Sequence, residues 1–253
     1  MLDEVEGGAK PMQEAIAHGL IEVQDEVRSA FGWSVSSDLN SARAMAEEVQ
    51  LRAQLVTGWS AERRKKALEG LREKLIQAKQ VVILGAAVTE EEVASITGDE
   101  CQIIAADGSV GVLEDFTRLA CVVTDFDGGI HLNRAAQQGA TLVTHAHGDN
   151  QDRWLHSLGS WSEYSAPPAL ILSHQTPQSI DGMYNFGGFT DGDRAVCFAL
   201  AMGVEKKRIR LVGFSLRVVG QWSATTVSEQ KLRKLVWMNR ILKSIGMNGA
   251  VVE

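Results

Sequence analysis

Carboxylates recur at the ends of short apolar runs through the middle of this 253-residue chain. Asp107 follows Gln102-Ile103-Ile104-Ala105-Ala106, Asp125 and Asp127 follow Ala120-Cys121-Val122-Val123-Thr124, and Asp149 comes soon after Thr141-Leu142-Val143-Thr144. Asp191 and Asp193 come just after the glycine pair Gly187-Gly188. Small residues stand beside them, Gly108, Gly128, Gly148 and Gly192 among them, and these let a ligand come close. Acids delivered repeatedly at strand ends suit a divalent cation and a polyphosphate. Read as extended chain, Asp125-Phe126-Asp127 directs both carboxylates to one side, where they can reach one Mg²⁺ directly or through water. The competing reading is structural, because Asp and Gly are turn residues and both Asp107-Gly108 and Asp127-Gly128-Gly129 fit turns.

Two further segments carry chemistry. His145-x-His147-x-Asp149 resembles the opening of the metallo-β-lactamase zinc motif, His-x-His-x-Asp-His, and raises the alternative of a metal-dependent hydrolase using His145 and His147. Asn150 stands where the last histidine would be, and only His156 and His174 follow, so a dinuclear zinc site lacks recognisable ligands. The plainer reading is that the two imidazoles shape the loop by hydrogen bonding. Asn185-Phe186-Gly187-Gly188-Phe189-Thr190-Asp191-Gly192-Asp193-Arg194 is the denser segment. Its paired glycines permit close backbone approach or positive φ. Thr190 or Asp191 can cap the helix that follows, and a helix N-terminus bearing Arg194 can receive phosphate oxygens if a cation screens the neighbouring acids.

The elements that must position these residues divide the chain in two. Residues 1–79 read as an N-terminal helical subdomain. Pro11 to Ala30 forms one helix. Leu39, Ala42, Ala46, Val49 and Ala53 recur at helical spacing after Ser36, Ser37 or Asp38 as the cap. Ser60 caps a third helix with Ala67, Leu68, Leu71, Leu75 and Ile76 as its apolar stripe. From residue 80 to 253 the period changes. Six nearly continuous apolar runs begin at Val81, Gln102, Ala120, Thr141, Ala169 and Ile209. Helical segments lie between or after them at Glu90–Ile96, Leu132–Gln138, Asp191–Met202 and Ser228–Ile245. Such runs mark strands buried on both faces. The expected fold is α/β: an open, mostly parallel, Rossmann-like sheet with helices on both faces, preceded by the helical subdomain. Ligands of such sheets sit at the carboxyl ends of the strands, where the acids fall, so Asp107, Asp125, Asp127, Asp149 and Asp193 are expected to converge on one cleft.

Composition narrows the partners. Twenty-five basic against 32 acidic residues leave a net charge of −7, without the basic footprint of a nucleic-acid binder. Cys101, Cys121 and Cys197 form no framework, which points to a reducing cytoplasm. Neither a signal peptide nor a membrane span is legible. Self-association into a homo-oligomer is left open.

Taken together, Ala106-Asp107-Gly108, Val123-Thr124-Asp125-Phe126-Asp127-Gly128, His145-Ala146-His147-Gly148-Asp149-Asn150 and Asn185 through Ala195 resemble the archaeal 6-hydroxymethyl-7,8-dihydropterin pyrophosphokinase family, related to thiamin pyrophosphokinases. Their order and spacing match from about Val81 to Phe214. The chain departs from many relatives after the first strand, where Gly85-Ala86-Ala87-Val88-Thr89 replaces a Gly-x-Gly-Pro-Ser-like turn. The resemblance implies transfer of diphosphate from ATP to the hydroxymethyl group of a reduced pterin, releasing AMP, in folate or tetrahydromethanopterin biosynthesis. It implies Mg²⁺ on Asp107, Asp125 and Asp127, with Asp125, Asp127 and Arg194 serving the transfer. It further implies nucleotide contacts at Asp107, Gly108, Gly187, Gly188 and Thr190, and acceptor contacts at His147, Asp149, Asn150, Asp191 and Asp193. A relative acting on another acceptor such as thiamin, or a nucleotide-binding module without turnover, are the remaining readings.

Overall fold

The computed structural model describes residues 18–98, 100–223 and 228–247. All six apolar runs form strands of one sheet: β1 (Gln80–Leu84), β2 (Cys101–Ala106), β3 (Leu119–Thr124), β4 (Thr141–Ala146), β5 (Ala169–His174) and β6 (Ile209–Val212). Every neighbouring pair is parallel, and the order across the sheet is β5-β4-β3-β2-β1-β6. The chain therefore steps outward from β1 to β5 and then returns to the other side of β1. That reversal opens a crevice outside the carboxyl ends of β1 and β6. Among the described residues none before Gln80 belongs to the sheet.

The helices are α1 (His18–Phe31), α2 (Val35–Arg52), α3 (Ala61–Gln77), α4 (Glu90–Ala94), α5 (Gly129–Gln137), α6 (Gln151–Ser162), α7 (Asp191–Ala201) and α8 (Ser228–Ser244). Strand side chains alternate between two cores, as the period of two requires. Val82 and Leu84 of β1 face one core, with Ala42, Met45 and Val49 of α2, Leu132 of α5 and Trp154, Leu158 and Trp161 of α6. Val81 and Ile83 face the other, with Leu68, Leu71 and Leu75 of α3, Phe198 of α7 and Leu242 of α8. Thus α2 and α3 cover opposite faces of the sheet. Leu20, Val23 and Val27 of α1 form a third cluster with Cys197 of α7 and Ile241 of α8. All three cysteines are free and buried, and no described helix is long and apolar enough to cross a membrane.

Local details differ from the sequence expectation in three places. The cap of α2 is Ser34, whose hydroxyl accepts the Ser36 N–H at 3.2 Å. Ser36, Ser37 and Asp38 lie inside the first turns, and the Asp38 side chain turns inward. Ile76 is exposed rather than part of the α3 stripe. Helix α6 is an addition: Trp154, Leu158 and Trp161 are buried at helical spacing, a short stripe masked by the polar residues around it. The expected first helix starts earlier than the described residues, and the portion before His18 lies outside them.

Trp161 ties α6 to the site, because its ring stacks on Phe126 at 5.5 Å and its indole N–H donates to Asn133 at 2.9 Å. Trp161→Ala should cost about 3–5 kcal/mol of stability, as expected for a fully buried tryptophan. Urea unfolding checks this, and an unchanged midpoint would remove α6 from the structural account.

Candidate active site

Asp107, Asp125 and Asp127 offer carboxylate oxygens that all lie within 4.8 Å of one another. Strand alternation is not what brings them together. Phe126 has φ 73° and Asp107 has φ 48°, so each acid leaves its strand through a left-handed turn. The extended Asp-x-Asp geometry is thus replaced by a turn that still aims both acids at one point. A non-glycine residue in this region costs on the order of 1–3 kcal/mol and persists only where its surroundings enforce it. Here Thr124 enforces it: its hydroxyl donates to Asp107 Oδ1 and accepts the Phe126 N–H at 2.8 Å.

Electrostatics follow from this crowding. Burial, then the charge of Asp127, pushes Asp107 well above the ordinary carboxylate range. Burial and Asp125 raise Asp127. Asp191 joins the group from the first residue of α7; burial and the charges of Asp125 and Asp127 push it up to about 8. Asp125 is the exception. Burial would raise it, but the hydrogen bond and charge of His147, aided by Arg153 and Lys234, bring it below the usual range. The balancing effect is seen in His147. Burial opposes its proton, yet Asp125 at 3.2 Å and Asp149 at 2.5 Å raise it to about 9.

The loop after β4 is held from both sides. Asn150 is fully buried; its amide donates to Asp125 O at 3.0 Å and His145 O at 2.8 Å, and its carbonyl accepts the His147 N–H at 3.0 Å. Its side chain positions the loop and does not face the cleft. From the N-terminal helices, Asp38 accepts the Gly148 N–H at 2.8 Å and the Gln175 amide at 2.8 Å, and lies 3.4 Å from Arg28. His145 is buried, with Ser173 at 3.0 Å from Nδ1 and Gln175 at 3.3 Å from Nε2. Both of its ring nitrogens are engaged, and neither imidazole belongs to the three-carboxylate grouping. Asp149 is 75% exposed and reaches the cluster through His147.

The Asn185–Arg194 segment forms the other wall. Gly187 and Gly188 both have φ 84°, and a side chain on Gly188 would lie 2.5 Å from Arg194 Cα, so the glycine pair lets the loop press against the first turn of α7. Thr190 is the cap, and Asp193 reaches back to accept its N–H at 2.6 Å. Asp193 is fully buried in this capping role, apart from the cleft it was expected to face. Arg194 is buried as well and donates to Phe189 O at 2.9 Å. Gly108 is buried against the Trp222 backbone.

Beside the carboxylates a cleft opens at the switch point. Gly85, Ala86 and Ala87 after β1, Asp107 after β2, and Gly213 and Phe214 after β6 line it, with Asp127, Thr190, Asp191 and Lys231. The Gly85-Ala86-Ala87 turn therefore borders the cleft. Gly213, at φ 70°, is what permits its fold, since a side chain there would lie 2.2 Å from Val88 N. Sequence reasoning missed Thr124, Asp38, Arg153, Lys231 and Lys234. Thr124 had a signal, at a strand end just before Asp125-Phe126-Asp127, and Arg153 lies just after the His145–Asn150 motif; Asp38, Lys231 and Lys234 come from helices remote in sequence.

The donor set suits a hard divalent cation: three carboxylates converge, and Asp125 Oδ1 is buried with no hydrogen-bond partner. Fold and site together define an open parallel α/β protein whose acids and cleft meet at the carboxyl ends of the strands. Three proteins named 6-hydroxymethyl-7,8-dihydropterin pyrophosphokinase are similar to it. That of Pyrococcus furiosus is 36% identical over 216 residues, covering 76% of this chain and 89% of the relative. That of Methanothermobacter thermautotrophicus is 36% identical over 161 residues, 59% of this chain and 65% of the relative. That of Methanocaldococcus jannaschii is 27% identical over 188 residues, 66% and 75% of the two chains. No family model matches. The chain belongs to the 6-hydroxymethyl-7,8-dihydropterin pyrophosphokinase family.

The charge arrangement gives the metal-free protein a definite pH dependence. Asp191 (up to about 8) and His147 (up to about 9) both bind protons more tightly folded than unfolded. Their contribution is complete below the unfolded pKa and is lost as pH rises through the folded one. The melting temperature should fall between pH 6 and pH 9, and added Mg²⁺ should recover much of it at the alkaline end. Differential scanning calorimetry with and without Mg²⁺ checks this; a flat profile would mean the acids do not interact.

Proposed function

We propose that this chain transfers the β,γ-diphosphate of ATP to the hydroxymethyl group of 6-hydroxymethyl-7,8-dihydropterin and releases AMP. The observation that carries the reading is the convergence of Asp107, Asp125 and Asp127 beside the switch-point cleft, in a chain related over most of its length to proteins of that name. In the transfer a bond forms between the hydroxymethyl oxygen and the β-phosphorus while the bridging oxygen departs with AMP and the hydroxyl proton is released. Such a displacement needs alignment and charge neutralisation more than covalent help.

Asp107, Asp125 and Asp127 would hold Mg²⁺, which when bound would neutralise charge on the phosphate chain. His147 fixes the orientation of Asp125 and keeps it ionised, so that one ligand is always ready. Thr190 and the Gly85–Ala87 turn offer the nucleotide a wall, and Asp191 lines the same cleft. Asp149, exposed at the end of β4, is available to a polar edge of the acceptor. Arg194, itself buried, lends its positive charge to Asp191, Asp193 and Asp125. The reading includes small-molecule partners only and a cytoplasmic location, supported by the net negative charge and the three free cysteines. Nothing in the geometry favours hydrolysis through His145 and His147.

Incubation with ATP, Mg²⁺ and the reduced pterin should give AMP and the pterin diphosphate in equal amounts by mass spectrometry. ADP as the product would overturn the reaction class, and preference for thiamin would overturn the acceptor. Asp125→Asn should keep the fold and lower turnover about a hundredfold, the loss expected for an electrostatic contact of about 3 kcal/mol. Raising Mg²⁺ should restore part of it.

A further inference from the structure

Helix α8 brings two cations to the site. Lys231, Leu235 and Met238 share one face at helical spacing, and all three line the cleft with Asp107, Asp127 and Asp191. Leu235 and Met238 are buried and anchor that face, whereas Lys231 stands half-buried at its outer end. Lys234, one turn further on, is also half-buried, with Nζ 5.7 Å from the centre of the Trp33 ring and 6.0 Å from that of Phe189. Neither ammonium has an ion-pair partner within 4.0 Å among the described residues.

The two charges are divided across the acids. That of Lys231 acts on Asp127 and Asp191, and that of Lys234 on Asp125 and Asp149.

A phosphate chain beside this cluster meets more negative charge than one divalent cation removes, so it needs further positive donors. Arg194 is the obvious candidate by sequence, but it is buried and directed at Phe189 O. We propose that Lys231 and Lys234 form the anion-binding side of the site, holding non-bridging oxygens of the nucleotide's phosphate chain across from the carboxylates. Lys231 serves the switch-point side and Lys234 the side of His147 and Asp149. An ammonium on a flexible stem is suited to this, as a compact charge that follows oxygens which move during transfer. The inference rests on the nucleotide part of the reading above and is independent of the acceptor.

The test compares Lys231→Met and Lys234→Met with the parent in two equilibrium measurements: calorimetric binding of a non-hydrolysable ATP analogue with Mg²⁺, and binding of Mn²⁺ alone by electron paramagnetic resonance. Each substitution should weaken the nucleotide about tenfold or more. Binding of Mn²⁺ alone should stay the same or tighten, because a positive charge next to its carboxylates has gone. Lys231→Arg should regain most of the nucleotide affinity. Nucleotide affinity within about twofold of the parent in both methionine variants would overturn the assignment. So would parallel loss of nucleotide and Mn²⁺, which would give the lysines a merely structural role. A parent that binds the nucleotide but forms no pterin diphosphate would sink the acceptor reading alone; a parent that binds no nucleotide would sink both.

Discussion

Mutual repulsion among four carboxylates gathered at the ends of β2, β3 and α7 is the constraint on which the rest of this structure depends. Like charges in a shared, partly dry space oppose their own ionisation. Asp107, Asp127 and Asp191 are all raised, first by burial and then by that repulsion, while Asp125 is kept low by His147. A chain that only needed to be stable would separate these groups. This one spends two left-handed residues, Asp107 and Phe126, to bring them together.

The scaffold can be understood as what enforces that convergence. Thr124 locks the two turns to each other, and Trp161 supports Phe126 from below. Further out, Asp38 of α2 grips Gly148, next to the histidine that holds Asp125, and Arg28 of α1 reaches the same network through Gln175. The N-terminal helices thus act on the site through hydrogen bonds as well as covering the sheet. Two sides of the site result. Toward β1 and β6 lies the switch-point cleft with its glycine-bordered turn and Lys231; toward β4 lie His147 and the exposed Asp149.

The sheet was legible from sequence because strands buried on both faces are written as continuous apolar runs, and all six were found where Val81, Gln102, Ala120, Thr141, Ala169 and Ile209 begin. The capped helices after Ser60 and Thr190 were legible for an equally local reason. Helix α6 was not, because three buried residues in a polar stretch make a faint stripe. The acids at Asp107, Asp125 and Asp127 could be read as a group, but the reason offered for the last two was wrong: a left-handed phenylalanine aims them, and extended alternation does not. Asp193 and Asn150 read as ligand contacts because polar residues in a dense motif are ambiguous, and only packing reveals that Asn150 holds the loop after β4 and that one carboxylate oxygen of Asp193 caps α7. Asp38, Lys231 and Lys234 lay beyond reach, since nothing in their neighbourhoods signals partners so far off along the chain.

The proposed function requires that Asp107, Asp125 and Asp127 hold one divalent cation that serves a nucleotide at the switch point. The most direct measurement is a crystal structure with Mn²⁺ and a non-hydrolysable ATP analogue, using anomalous scattering to locate the metal. The account predicts a peak among those three carboxylates, bridged to phosphate oxygens, with the nucleoside against Gly85–Ala87 and Phe214. A metal held instead by His145 and His147, or a nucleotide bound away from the three acids, would contradict it.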